Sequence, residues 1–229
     1  MNDLYLCTHY GFGDYIICYG LIKELSKRYD NVFLFAIPHR SKLHFDNIKR
    51  LYSSINNVQI ITDDPAVYKD VMYIGWDYVN KAILKDPSIP FPQHFYNQAG
   101  IPLNLLWDNF YFQRDLKKEK RIYYDLLGLK DGQEYIFLHD DPVRNFLIDR
   151  KYINPDLKVI QLTPLEDVSI LDCLYLVEKS KEVHMTTTGL VSFIDQMNIN
   201  HDSLNLHRYV RPDLFDQAIL RLNWNIIDK

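Results

Sequence analysis

The chain has 229 residues, 47% hydrophobic, 24% charged and 14% aromatic, and its 26 basic and 30 acidic side chains leave a formal charge of −4. This composition excludes a disordered, collagenous or fibrous protein, and the charge excludes a global cationic field for nucleic acid or anionic lipid. No apolar run approaches the roughly 20 residues of a spanning helix, the start MNDLYLC has no basic leader, and Cys7, Cys18 and Cys173 form no CxxC pair, so a soluble, cytoplasmic protein is expected.

Leu4 to His9 is a short apolar run, broken by Tyr10-Gly11-Phe12-Gly13-Asp14. Ile16, Ile17, Tyr19, Gly20, Leu21, Ile22, Leu25 and Tyr29 then recur at helical spacing, with Lys23, Glu24, Lys27 and Arg28 on the other face. Val32 to Ile37 reads as a second buried strand, stopped by Pro38. Strand, glycine turn, helix and strand form a βαβ unit, which predicts a parallel sheet. Residues 41–54 read as helix, and 58–62 and 71–74 as strands. Residues 86–113 hold four of the ten prolines and read as loop with short helix. Asp115 to Leu127 is a charged helix closed by Gly128, with Lys117 to Arg121 as a solvated face.

A second series follows. Residues 135–138 read as a strand, His139 to Pro142 as a turn, 157–162 as a strand and 169–181 as a helix. Residues 183–185 are a further strand, 188–197 a helix, and the tail from Arg211 a last helix. The expected fold class is α/β: two small Rossmann-like domains, residues 1–113 and 114–229, with parallel sheets facing across a cleft. One continuous doubly wound sheet is the alternative.

Three turns carry candidate chemistry, two of them between a strand and a helix. Gly11-Phe12-Gly13-Asp14 stands where ligands meet the carboxyl ends of parallel strands, and glycine there permits a positive φ or close approach to the backbone. The dinucleotide pattern GxGxxG fails at Ile16, and Ile37-Pro38-His39-Arg40 lacks a ribose-binding acid, which disfavours NAD or FAD. Asp14 is equally suited to the first turn of a helix. Thr186, Thr187, Thr188, Gly189 and Ser192 form the second candidate: their hydroxyls and the helix N-terminus either cap the helix or bind a diphosphate. His139 and Arg144, after a buried strand, are phosphate partners, or else Arg144 pairs with Asp140 or Asp141.

Gly13-Asp14 followed by IICYGLIKELSKRY resembles the amino-terminal motif of GT-B glycosyltransferases of the heptosyltransferase type. The stretch SILDCLYLVEKSKEVHMTTTGLVSFIDQM is similar to that family's second signature, a helix and strand leading to an Asp-Thr-Gly-Leu turn. Here Thr188-Gly189-Leu190 match it, while Thr187 stands for the Asp, Ser192 for a His, and Gly20 where proline is frequent. YIFLHDDPVRN loosely resembles the basic phosphate-contact region of fucosyltransferase-like enzymes.

The resemblance implies sugar transfer from a nucleotide diphosphate sugar to a hydroxyl of a glycan or glycolipid, with inversion. It implies Asp14 as base and an acceptor-side first domain. It also implies a donor-binding second domain, with Gly11, Gly13, His139, Arg144, Thr186, Thr187, Thr188, Gly189 and Ser192 as the donor and diphosphate contacts. The rivals are a nucleotide-sugar epimerase or hydrolase on the same plan and a non-catalytic sugar- or nucleotide-binding module. No cofactor is called for, and no metal: the chain has no Asp-x-Asp, no HExxH and no ligand spacing among its eight histidines. A GxSxG elbow and a Walker loop are absent too. The aromatics of 91–96 and 107–112 are either an acceptor platform or a core plug.

Overall fold

The structure, a computed structural model, describes residues 2–36, 42–86, 88–161, 168–211 and 219–229. The chain divides into two compact units, Met1–Gln113 and Arg114–Asp216 with Leu220–Lys229. Each is an α/β layer around an all-parallel sheet.

The first unit runs β1 (Asp3–Cys7), α1 (Phe12–Ser26), β2 (Asn31–Phe35), α2 (Lys42–Tyr52), β3 (Val58–Ile61), β4 (Met72–Tyr73), α3 (Trp76–Lys85), α4 (Phe91–Ala99) and α5 (Leu105–Asp108). Its strands lie in the order β3-β2-β1-β4, with Leu4 opposite Val32 and Leu6 opposite both Leu34 and Met72. Helix α1 was expected to show one apolar face. Instead Tyr15 to Ile22 are buried without a break, because α4 and α5 cover the side turned from the sheet. The expected charged face shrinks to the last turn, where the Lys23 ammonium donates to the Asn109 carbonyl at 2.9 Å.

Such a helix needs its phenols satisfied. Tyr15 donates to the Phe35 carbonyl at 2.9 Å, Tyr52 to that of Tyr15 at 2.7 Å and Tyr96 to that of Ile17 at 3.0 Å. Each ring thereby adds about 1.5–3 kcal/mol of burial without an unpaired hydroxyl. Gly20 fits a close crossing, since a Cβ there would stand 1.9 Å from the Leu105 carbonyl oxygen. Residues 86–113 hold more helix than their prolines suggested, and Phe95, Tyr96, Leu106 and Phe112 are core. Helix α3 was not foreseen, as only Val79 and Ile83 of its ten residues are buried.

The second unit runs α6 (Leu116–Arg121), which widens into a π-helical turn at Ile122–Leu126, then β5 (Tyr135–His139), β6 (Lys158–Gln161), α7 (Leu174–Lys179), β7 (Glu182–Met185), α8 (Gly189–Met197), β8 (Leu204–His207) and β9 (Trp224–Ile227). The strand order is β6-β5-β7-β8-β9, parallel throughout. Strands β8 and β9 were not expected. The tail helix expected from Arg211 finds β9 in the described part, while 212–218, like the Ile37 to Arg40 stretch, lie outside the described residues.

Two further expectations give way to buried charge. The helix expected over 169–181 begins as a 3-10 turn, Ile170–Asp172, because Ser169 and Asp172 cap one another there and Lys118 pairs with Asp172 at 2.8 Å. Glu119, expected on a solvated face, is fully buried: Arg114 grips it with two bonds of 3.0 and 2.7 Å and also holds Glu178, while the Tyr175 N–H donates to it. Asp195 secures the last strand by accepting from the backbone N–H groups of Arg221 and Leu222 and the Trp224 indole, at 2.9 to 3.1 Å.

Candidate functional site

In the first unit the turn between β1 and α1 is closed on itself. The Gly11 N–H donates to Asp14 Oδ2 at 3.1 Å, so Asp14, on the first turn of α1, reaches back over the helix entrance. Gly11 has an ordinary φ of −71°, so a positive φ is not what calls for glycine. A Cβ at this position would stand 2.5 Å from Asp14 Oδ2, and the carboxylate therefore sets the need for glycine. Gly13 lies within the first turn of α1.

Beside that turn stands a group of rings. His9 Nε2 accepts the Trp76 backbone N–H, and burial pushes the His9 imidazole down, keeping it neutral. Trp76 has φ 52°, an unusual conformation for a bulky residue, next to Gly75 at φ 99°. Gln98 clamps the segment, accepting from the Gly75 N–H at 2.6 Å and donating to the Tyr73 carbonyl at 2.8 Å. Trp76 is 37% exposed and meets Tyr10 edge-on at 5.1 Å. Of the two readings of residues 91–96 the core plug holds, with Phe95 and Tyr96 fully buried. Trp76 was missed because its prominence depends on the backbone of residues 75 and 76.

In the second unit the turn between β7 and α8 has the opposite character. The Thr186 N–H donates to the His139 carbonyl at 3.1 Å, extending the β5–β7 ladder, and Thr188 is the N-cap of α8 with φ −145° and ψ 171°. Thr188 makes no side-chain cap bond, so the capping reading of the hydroxyls does not hold. Thr186, Thr187 and Thr188 all have enclosed Oγ1 atoms with no hydrogen-bond partner among the described residues. An unsatisfied buried hydroxyl costs about 1–3 kcal/mol, and three in succession at a helix N-terminus is an arrangement suited to an anion. Gly189 opens α8 and Ser192 lies in its following turn, half-buried.

His139 ends β5 with its Nδ1 enclosed and without a partner; burial pushes its imidazole down, against Asp140 and Asp141, so it is neutral. Arg144 forms an ion pair with Asp141 at 2.5 Å and, against the upward push of burial, holds that carboxyl below its ordinary range. The structure thus realises the surface-pair reading of Arg144, with Asp141 as the partner. Asp140 instead accepts from the Gln161 amide. Arg211, which the sequence offered only as the start of a tail, donates from Nη1 to the Thr187 carbonyl at 3.2 Å and lies over the Phe146 ring.

Deeper in the same sheet Glu182, His184 and His207 form a chain with contacts of 3.0 and 2.9 Å. Burial, with His184 adding to it, pushes His207 down to about 4. The Glu182 carboxylate accepts from His184 Nε2–H, so His184 Nδ1 accepts from His207 Nε2–H and His207 Nδ1 is left as an enclosed lone pair without a partner among the described residues. Among the described residues no group of three or more His, Cys, Asp or Glu side chains converges as metal ligands would, and no helix is long and apolar enough to cross a membrane.

The fold and its turns define an α/β protein of two parallel-sheet units, each with a strand-to-helix turn at the ligand-binding end of its sheet. No protein-family model matches the chain, and no curated protein matches it. Among solved structures, a glycosyl transferase family 9 protein from Veillonella parvula DSM 2008 is similar over 90% of this chain and 79% of that one, with 7% identity and a TM-score of 0.44. A likeness of that degree establishes neither family nor activity.

Proposed function

We propose that the chain is a metal-independent glycosyltransferase that moves a sugar from a nucleotide diphosphate sugar to a hydroxyl of a glycan or glycolipid acceptor. The observation that carries this reading is the run of three enclosed, unpartnered threonine hydroxyls entering α8, which suits the leaving diphosphate. Thr186, Thr187, Thr188, the Gly189 N–H and Ser192 bind the donor, with His139 as a further contact, while Arg144 stays with Asp141. Residues 114–229 are then the donor domain and 1–113 the acceptor-side domain, where Gly11 and Gly13 shape the turn that holds Asp14.

Asp14 takes the acceptor proton as the acceptor oxygen bonds to the anomeric carbon. The bond from that carbon to the diphosphate breaks, its electron pair leaves with the phosphate oxygen, and one displacement inverts the centre. The Asp14 bond to Gly11 N–H fixes the carboxylate's orientation at the helix entrance.

The same bond favours the rival reading of a non-catalytic module in which Asp14 only caps a helix. Thermal-shift measurements with UDP, GDP, ADP and CMP, with and without common sugars, identify the donor by selective stabilisation. The Asp14→Ala variant is then expected to keep donor affinity within about threefold and to lose about 10²–10⁴ in turnover. Turnover unchanged in that variant eliminates Asp14 as base, and no stabilisation by any nucleotide eliminates the transferase.

A further inference from the structure

We infer that Arg211 is the phosphate-gripping side chain of the second unit, presenting the edge formed by its Nε and Nη2 as a bidentate fork to a pyrophosphate oxygen pair. The inference rests on the donor-site reading above and adds to it a residue outside both motifs.

Arg211 Nη1 donates to the Thr187 carbonyl at 3.2 Å, which ties the plane of the group to the strand-to-helix turn. The Phe146 ring lies 5.4 Å from the guanidinium carbon and supports one face. Nε is enclosed and has no hydrogen-bond partner among the described residues. Arg211 forms no ion pair with a carboxylate of the described residues, unlike Arg144, whose charge is met by Asp141.

An enclosed guanidinium nitrogen without an acceptor is unfavourable unless a ligand supplies one, because the charged group has lost water and gained nothing on that edge. The Nε–Nη2 edge is the one whose two parallel N–H groups match two oxygens of one phosphate. Its neighbour in the turn, Thr187, carries one of the three unpartnered hydroxyls, so a cation and neutral donors stand on adjoining groups. The geometry also distinguishes two arginines on one ring. Arg144 lies over the same Phe146 at 5.4 Å, but its Nε and Nη2 already serve Asp141. Arg211 differs from Arg144 in that its Nε has no acceptor among the described residues.

Inorganic pyrophosphate is the probe, with UDP and GDP as nucleotide forms, and affinity is read by titration calorimetry on the full chain. Arg211→Gln is expected to weaken pyrophosphate binding about 10- to 100-fold, the range for losing charge-assisted hydrogen bonds. Arg211→Lys, which keeps the charge and loses the fork, is expected to recover less than half of that loss on a logarithmic scale. Arg121→Gln removes the same charge from an exposed position on α6 and is expected to stay within about threefold of wild type.

Circular dichroism melting of each variant separates lost binding from lost folding, and Arg211→Lys carries the comparison if Arg211→Gln melts early. Wild-type affinity in Arg211→Gln, or full recovery in Arg211→Lys, overturns the fork. If the wild-type chain binds neither pyrophosphate nor any nucleoside diphosphate, the donor-site reading falls, and this inference with it. Binding that is indifferent to Arg211 removes only the inference.

Discussion

The two strand-to-helix turns look alike in sequence, each a small-residue break between an apolar run and a helix, yet they differ in how their polar groups are met. At Gly11 to Asp14 the helix entrance is served from within, by a carboxylate three residues on. At Thr186 to Gly189 the same entrance has three hydroxyls beside it and none of them caps it. The first turn holds the carboxylate half of a capping box, Gly11 having no side chain to supply the other; the second gathers three hydroxyls without a partner among the described residues. A helix N-terminus that supplies its own anion has less to offer a ligand than one whose surrounding donors are unmatched, and this contrast is what the proposed donor site in the second unit rests on.

The strongest challenge to this comparison is acid. His207 is fully buried with a folded value of about 4, against 6.5 when free, so the unfolded chain binds more protons between those limits. Its contribution to stability is full above pH 6.5, falls as pH is lowered toward 4, and amounts to about 3 kcal/mol across that window. Urea melts from pH 7 to 4 should show this slope, and His207→Gln should flatten it. An unchanged slope would mean that the enclosed lone pair of the second unit already has a partner.

The next test opens the closed turn. Gly11→Ala sets a Cβ against the Asp14 carboxylate and is expected to cost about 1–2 kcal/mol in chemical denaturation. On the proposed transferase reading it also lowers turnover, because the Asp14 carboxylate is displaced. The smallest effect has the opposite sign. Thr186→Val replaces a fully buried, unpartnered hydroxyl by a methyl group and is expected to leave stability unchanged or raise it by up to about 1 kcal/mol, while pyrophosphate affinity falls. A clear loss of stability in Thr186→Val would show that the hydroxyl is satisfied after all, and the contrast between the turns would vanish.

Much of the frame was legible beforehand for a local reason. Strands β1, β2, β3 and β5 and helices α1, α2 and α8 each carry enough apolar positions at one period to declare themselves. Strands β8 and β9 did not. LNLH is only four residues long, and WNII becomes a strand because Asp195, 29 residues before Trp224, accepts the groups that lead into it. Glu119 reads as one charge in a run of charges, and its burial follows from Arg114 and the Tyr175 N–H arriving from elsewhere in the chain. The aromatics of 91–96 read as a platform or a plug, and packing against α1 decided for the plug.

Sequence alone determined the βαβ rhythm, the positions of the glycine and threonine turns, and the absence of any motif for dinucleotide, P-loop or serine-hydrolase chemistry. These are properties of neighbours a few residues apart, where periodicity and backbone preference act. The tertiary structure decided which polar atoms are satisfied: that Asp14 serves Gly11, that Asp141 engages Arg144, and that the threonine hydroxyls and Arg211 Nε are enclosed without an acceptor. Satisfaction is a long-range property, because the group that completes a hydrogen bond can come from any part of the chain, and only the folded arrangement of strands and turns shows whether it does.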